Sequence, residues 1–303
     1  MTAKIVDKKL EIILAKKYII GRRIGSGSGG STYVLYSKSD EKKKYVMKVP
    51  NDTDFGISQN KNEAVILEYI KLVCNPYLVC LHEIIRYDNK QAIITDYIYN
   101  SDELYHFLKN NNEKLELIDK LKMMYFAIKG LLVIHENDLV HRDIKPSNML
   151  VEVTIDDFIE INNIRYIDYG SVCLKDDTKE GKSCLNKKFG TEEYAELTLI
   201  YNIPFNGSYE EHWNFIKASD IWSLGLTFFT IMFPYHDSFY DIFINTNSSK
   251  HFNDWYQYNI NYLLLELWEE NRYNYINELD LYDFIREMIA SMLRIDYTER
   301  PNI

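Results

Sequence analysis

The chain changes character near residue 99, and that change limits the folds open to it. Before it, short β-branched and aromatic runs alternate with turns. Runs 18–24 and 32–36 flank a glycine turn, 45–49 returns after a polar tip at 37–44, and 81–86 and 92–98 follow. One stretch of helical spacing interrupts them at 61–73, where Ala64, Leu67 and Ile70 recur and Asn75-Pro76 brings a stop. After Asn100 the periods become helical, over 102–110 and then 115–136, with Leu117, Leu121, Met124, Ile128 and Leu131 along one face. The pattern predicts an α+β chain of two lobes with a cleft between them. The smaller spans 18–95 with five strands and one main helix, the hinge 96–100, and the larger, mainly helical lobe 101–303. Residues 1–17 read as an N-terminal extension outside the domain.

An apolar content of 46% is ordinary for a globular protein and enough to build a core. The net charge of −10 makes nucleic acid and anionic membrane poor partners. No apolar run approaches the ~20 residues that a membrane span needs, and no signal peptide is visible. Thr2 follows Met1, so the glycine required for myristoylation is absent. Cys74, Cys80, Cys173 and Cys184 show no C-x-x-C spacing, which points to reduced thiols and a cytoplasmic location, nucleus or host cytoplasm included.

Chemistry concentrates in a few segments. His141-Arg142-Asp143-Ile144-Lys145-Pro146-Ser147-Asn148 places a carboxylate, a cation and an amide within eight residues. Asp168-Tyr169-Gly170 follows, a second carboxylate beside a glycine. Such a set suits phosphoryl transfer, where catalysis is mostly positioning and charge neutralisation. The turn Gly25-Ser26-Gly27-Ser28-Gly29-Gly30 lets backbone N–H groups approach a phosphate. It lies between two strands, which argues against a dinucleotide-binding fold. Lys48 sits in a β-branched run, with Glu63 on the following helix as its partner and Glu68 as the competitor. Glu63 is preferred because Leu67 then falls one turn on, on the same face.

These segments resemble the catalytic loop, metal-binding segment, glycine-rich flap and strand lysine of eukaryotic protein kinases. Gly190-Thr191-Glu192-Glu193-Tyr194-Ala195-Glu196 is similar to their substrate platform. Asp220-Ile221-Trp222-Ser223-Leu224-Gly225 resembles their buried helix start, and Arg300-Pro301 the late arginine. The likeness runs over about residues 18–301. It implies a bilobal fold whose smaller lobe has a five-stranded antiparallel sheet. It implies ATP with Mg2+ (Mn2+ as a substitute), protein substrates and a monomer. Asp143 would align the incoming hydroxyl, Lys145 would stabilise the transferring phosphate, and Asn148 and Asp168 would hold the metal. Lys48, held by Glu63, would reach the phosphates. Ile24, the turn 25–30, Thr32, Val46, Thr95, Asp96, Ile98, Asp102 and Leu150 would contact the nucleotide. Lys145 and Thr191 mark serine/threonine kinases, and the run from Tyr18 to Ser28 looks like the casein kinase one family. The alternative is a pseudokinase serving as a scaffold, which usually lacks the lysine or an acid that this chain retains. A small-molecule phosphotransferase generally lacks Lys145.

Several departures carry expectations of their own. Gly29 stands where the flap usually has an aromatic residue. Thr32 and Val46 replace the usual valine and alanine of the nucleotide roof, so weakened nucleotide binding is expected. The platform lacks its proline, which leaves the partner of Arg300 open. The 25 residues from Asp143 to Asp168 include a surplus, 152–163, read as a longer hairpin. The 24 residues from Glu196 to Asp220 include another, 199–213, read as a tolerated surface loop or a docking element. Thr178 and Ser183 are available to carry a phosphate for Arg142. Ser147 and Thr230 stand where arginine-selective kinases have acids. Only Asn302 and Ile303 follow Pro301, where many kinases continue with a further helix.

Overall fold

The structure, a computed structural model, describes residues 7–27, 29–40, 42–175, 190–196, 199, 205–235 and 252–302. The chain divides into two units. One takes the residues up to Tyr99 together with Ile167–Val172, and the other takes the rest.

In the first unit five strands form one antiparallel sheet: β1 (Tyr18–Ser26), β2 (Gly30–Ser37), β3 (Lys44–Pro50), β4 (Leu81–Tyr87) and β5 (Lys90–Asp96), in the order β1-β2-β3-β5-β4. Side chains alternate between faces along each strand, so the register decides what each face carries. One face buries Tyr33, Leu35, Tyr45, Met47, Ala92 and Ile94. Against them pack Leu10 and Leu14 of helix α1 (Lys8–Leu14), both essentially inaccessible. The segment expected outside the domain therefore contributes to its core. Burying each leucine is worth roughly 2 kcal/mol, and Asp7 caps the helix by accepting from the Lys9 amide. The opposite face carries Thr32, Val46, Lys48 and Thr95, with Thr32 paired to Lys48 and Val46 to Thr95.

Helix α2 (Asp54–Ile70) begins earlier than its apolar spacing indicated, because the Thr53 hydroxyl caps the Gly56 amide at 3.0 Å. The turn after it returns the chain so that Cys74 and Cys80 form a disulfide, their Cα atoms 5.9 Å apart. This corrects the expectation of reduced thiols for that pair. A spacing of six residues carries no signature, and only the turn at Asn75-Pro76 brings the two together.

The second unit is mainly helical. Strand β6 (Ser101–Glu103) forms where a helix start was expected, and α3 (Leu104–Asn111) follows it. Helix α4 (Leu117–Glu136) opens with a Glu116/Asp119 capping box. After β7 (Leu139–Val140), the surplus at 152–163 lengthens an antiparallel hairpin, β8 (Met149–Ile155) and β9 (Ile159–Tyr166), to which β6 pairs. Strand β10 (Cys173–Leu174) pairs with β7. Helix α5 (Tyr209–Met232) is buried around most of its circumference, as a central helix must be. Helices α6 (Phe252–Asn271) and α7 (Leu279–Met292) complete the unit. Arg300 and Glu196 form a buried ion pair at 3.1 Å, which identifies the partner left open by the missing proline. The guanidinium also donates to the Ala218 and Arg294 carbonyls and lies over Trp222, so its burial is compensated. Among the described residues, no helix is long and apolar enough to cross a membrane.

Candidate active site

Each unit assembles its own set of candidate residues. In the first, the glycine turn is closed by Gly27 and Gly30, which exchange backbone hydrogen bonds at 2.9 and 3.3 Å. A Cβ at Gly30 would lie 2.2 Å from the Val49 carbonyl oxygen, so only glycine fits there. Asn51 ties the turn down by donating to the Gly27 carbonyl. Ser28 lies outside the described residues. Ile24 is exposed at the end of β1, and Thr32, Val46 and Thr95 share the Lys48 face. Asp96 donates its amide to the Cys80 carbonyl, and Ile98 is half-buried beyond it.

Lys48 lies 2.8 Å from Glu63 Oε2 and 2.8 Å from Asp168 Oδ1. Glu68 pairs instead with Arg86. Burial alone would lower the Lys48 pKa, but Glu63 and Asp168 outweigh it and hold the ammonium above its ordinary value. Burial pushes the Glu63 carboxyl up, against the pull of Lys48. With the ammonium at 2.8 Å the charged pair is the form that satisfies both groups.

Four hydrogen bonds hold the segment after Asp168. The Tyr169 amide donates to Glu63, the Val79 amide donates to the Tyr169 hydroxyl at 3.1 Å, and Asn62 donates to the Gly170 and Val172 carbonyls, both at 3.2 Å. Asp168 itself has a left-handed φ of 60°, a conformation kept only where the surroundings impose it. Asn62 was not legible as a site residue. It has no motif, only its place next to Glu63.

In the second unit, Asp143 is surrounded by donors. Thr191 Oγ1 donates to its Oδ1 at 2.8 Å, Asn148 Nδ2 donates to its Oδ2 at 2.9 Å, and Lys145 Nζ lies 3.2 Å from Oδ2. Lys145 also donates to the Thr191 hydroxyl. Asn148 donates again, at 2.7 Å, to the Asp143 carbonyl. The loop backbone is fixed from below by Asp220, which is 1% exposed. It accepts from the His141 amide at 2.7 Å, the Arg142 amide at 2.8 Å and His135 Nε2 at 3.0 Å. His141 is a structural residue, buried with its ring against Tyr166. Burial lowers the Arg142 pKa to about 9, with Asp220 opposing. Thr178 and Ser183 lie outside the described residues.

Asp102 is exposed and caps the Glu103 amide at 2.8 Å, and Leu150 lies on β8 opposite Glu103. Glu103 was not singled out in the sequence. Burial raises its carboxyl, while His106 and Lys145 pull it down, so it senses the same cation as Asp143 does. Thr230 bonds to the Leu226 carbonyl and to the Tyr194 hydroxyl.

The oxygen donors fit a hard cation. Both Asn148 amide hydrogens are spent on Asp143, which leaves its carbonyl oxygen as the side-chain atom that could take a cation. Asp168 already accepts an ammonium, so it tolerates a cation at that carboxylate. Among the described residues no group of three or more His, Cys, Asp or Glu could hold an ion alone.

Comparison with known proteins gives a consistent answer. The family model for the protein kinase domain matches residues 18–303. CBL-interacting protein kinase 14 of Oryza sativa subsp. japonica is 25% identical over 74% of this chain and 46% of its own length. Testis-specific serine/threonine-protein kinase 1 of Mus musculus is 25% identical over 96% of this chain and 71% of its own. The chain thus spans about half the length of the plant relatives that it matches. Neither is a casein kinase one, so the likeness of the opening residues to that family finds no support in them. A solved kinase-domain crystal structure superposes with a TM-score of 0.63 over 94% of this chain and 92% of its own, at 19% identity, which supports the fold. With a glycine-rich turn, a lysine–glutamate pair and a donor-ringed aspartate each in place, the chain belongs to the protein kinase family.

Proposed function

We propose that this chain transfers the γ-phosphoryl group of ATP to serine and threonine hydroxyls of proteins. The observation that carries the reading is the Thr191 hydroxyl, which donates to Asp143 while accepting from Lys145. An alcohol oxygen at that place is aligned by a carboxylate and covered by an ammonium, which is what an acceptor hydroxyl needs. In the reaction the acceptor oxygen forms a bond to the γ-phosphorus as the bond to the β-phosphate oxygen breaks. The hydroxyl proton passes toward Asp143, and ADP leaves. Bound magnesium would neutralise the charge on the β- and γ-phosphates. Lys145 would stabilise the transferring group. Lys48, kept charged by Glu63, would orient the nucleotide's phosphates. The Lys48 face, the glycine turn, Asp102 and Leu150 would bind the nucleotide.

The same reading has the two units act as lobes joined at 96–100, in a monomer that uses neither nucleic acid nor membrane. The net charge of −10 supports the last point. A cytoplasmic location belongs to this proposal as well. The Cys74–Cys80 bridge weighs against it, since structural disulfides persist in oxidising compartments. Counting free thiols in protein purified without reductant decides the matter. The function itself is tested with radiolabelled Mg-ATP, a generic basic protein and small hydroxylated acceptors. The expected products are phosphoserine and phosphothreonine in the protein, absent with Asp143→Ala. Phosphotyrosine alone, or label only in the small acceptors, would contradict the proposal.

A further inference from the structure

The surplus between Glu196 and Asp220 does not end as a surface loop. From Tyr209 onward it is helix. The Ser208 hydroxyl accepts from the Glu211 amide and the Ser208 amide donates to Glu211, so α5 starts at a full capping box. The early start places Tyr209, Glu210 and Trp213 well ahead of Asp220. Trp213 is 2% exposed and packs with Val140, Cys173, Phe215 and Ile216. Phe205 stacks on Phe215 at 5.3 Å, and Tyr297 meets Phe215 edge-on at 5.4 Å. The added segment thus has an apolar anchor of its own.

Three of its residues converge on Lys175. Tyr209 donates its hydroxyl to the Lys175 carbonyl at 2.6 Å. Glu210 Oε2 lies 2.9 Å from the Lys175 ammonium, and the Trp213 ring lies 6.0 Å from it. From the other side the Lys175 amide donates to the Asp138 carbonyl at 2.9 Å, and Cys173 and Leu174 pair with Val140 and Leu139. Val140 leads directly into His141-Arg142-Asp143. Residues 173–175 open the segment whose later part brings Thr191 to Asp143. Fixing residues 173–175 removes their conformational freedom where they lie beside the strand that enters the catalytic loop.

We propose that the added turn Ser208–Trp213 is a brace that positions residues 173–175 on the strand entering the catalytic loop. Tyr209 and Glu210 are then positioning residues for phosphoryl transfer, a claim that rests on the proposed function. The test variant is Tyr209→Phe with Glu210→Gln, which removes the hydroxyl and the charge but leaves Trp213 and its apolar anchor. Hydrogen exchange at the Lys175 amide should become about tenfold faster, the scale of one or two lost polar contacts. kcat should fall several-fold, with the ATP KM and the thermal midpoint close to wild type, and Tyr209→Phe with Glu210→Asp should recover part of the loss. Should the double variant fold poorly, Lys175→Met removes the gripped charge from the other partner, with the same two effects expected. Unchanged exchange would overturn the proposal, as would faster exchange with wild-type kcat, or a loss of activity that only follows the thermal midpoint. If the wild-type protein transfers no phosphate, the function is wrong but the exchange arm still decides the brace.

Discussion

Lys48 and Asp143 are held by different kinds of contact. Lys48 ends a flexible side chain, and its position depends on sharing one ammonium between Glu63 and an Asp168 side chain that is 47% exposed. Asp143 sits on a loop whose backbone amides are pinned by an Asp220 that is 1% exposed. The first set is held by charges that ions and nucleotide can redistribute. The second is fixed when the unit folds. The difference teaches where each set is vulnerable: the first to changes in ionic partners, the second to changes in the core.

The largest expected effect follows from that contrast. Asp220→Ala would leave the His141 and Arg142 amides without their acceptor in the interior, at a cost of roughly 3–5 kcal/mol. Chemical denaturation measures it, and a loss below about 1 kcal/mol would mean that the loop is not held from the core. Next comes Lys120 of α4, buried with the Met232 carbonyl and the Tyr275 hydroxyl as its acceptors among the described residues. Burial pushes its pKa down to about 8. A cation with a depressed folded-state pKa destabilises the fold while it stays protonated. Stability should therefore rise as pH increases from about 8 toward the unfolded value near 10.5, by on the order of 3 kcal/mol. Lys120→Met should be more stable at neutral pH and lose that slope. A slope unchanged by the substitution would assign it elsewhere.

In the first unit the effects should appear in ion dependence more than in stability. Asn62→Leu removes both donations to the segment after Asp168, at a stability cost of about 1 kcal/mol. The magnesium concentration for half-maximal rate should rise about three- to tenfold, the scale of one net hydrogen bond. Loss of stability with unchanged magnesium dependence would reduce Asn62 to a packing role. The smallest effect belongs to Thr32→Val. Thr32 faces the Lys48 side of the sheet, and exchanging its hydroxyl for a methyl should lower the ATP KM about two- to fivefold. An unchanged KM would remove Thr32 from the nucleotide roof.

The first unit was legible because its signals are local. Alternation along β3 places Lys48 on the face away from Met47, and helical spacing around Ala64 and Leu67 selects Glu63 over Glu68. What was missed depends on tertiary contact. Helix α1 buries Leu10 and Leu14 but exposes Ile12 and Ile13, so its apolar residues trace no clean period. Asn62 and Glu103 stand beside residues with motifs and have none themselves. The Cys74–Cys80 pair and the helical end of the 199–213 segment are consequences of how the chain turns and what it packs on, which residue order alone does not specify.

The account's central claim is that Asp143 aligns the acceptor hydroxyl while Asn148, Lys145 and Thr191 hold its carboxylate in place. A double-mutant cycle on phosphoryl transfer tests it directly, with kcat measured for Asp143→Asn, Asn148→Ala and the pair. The account predicts strong coupling: each single substitution lowers kcat, and the double is far less impaired than the product of the two. Simple multiplication of the two losses would contradict it.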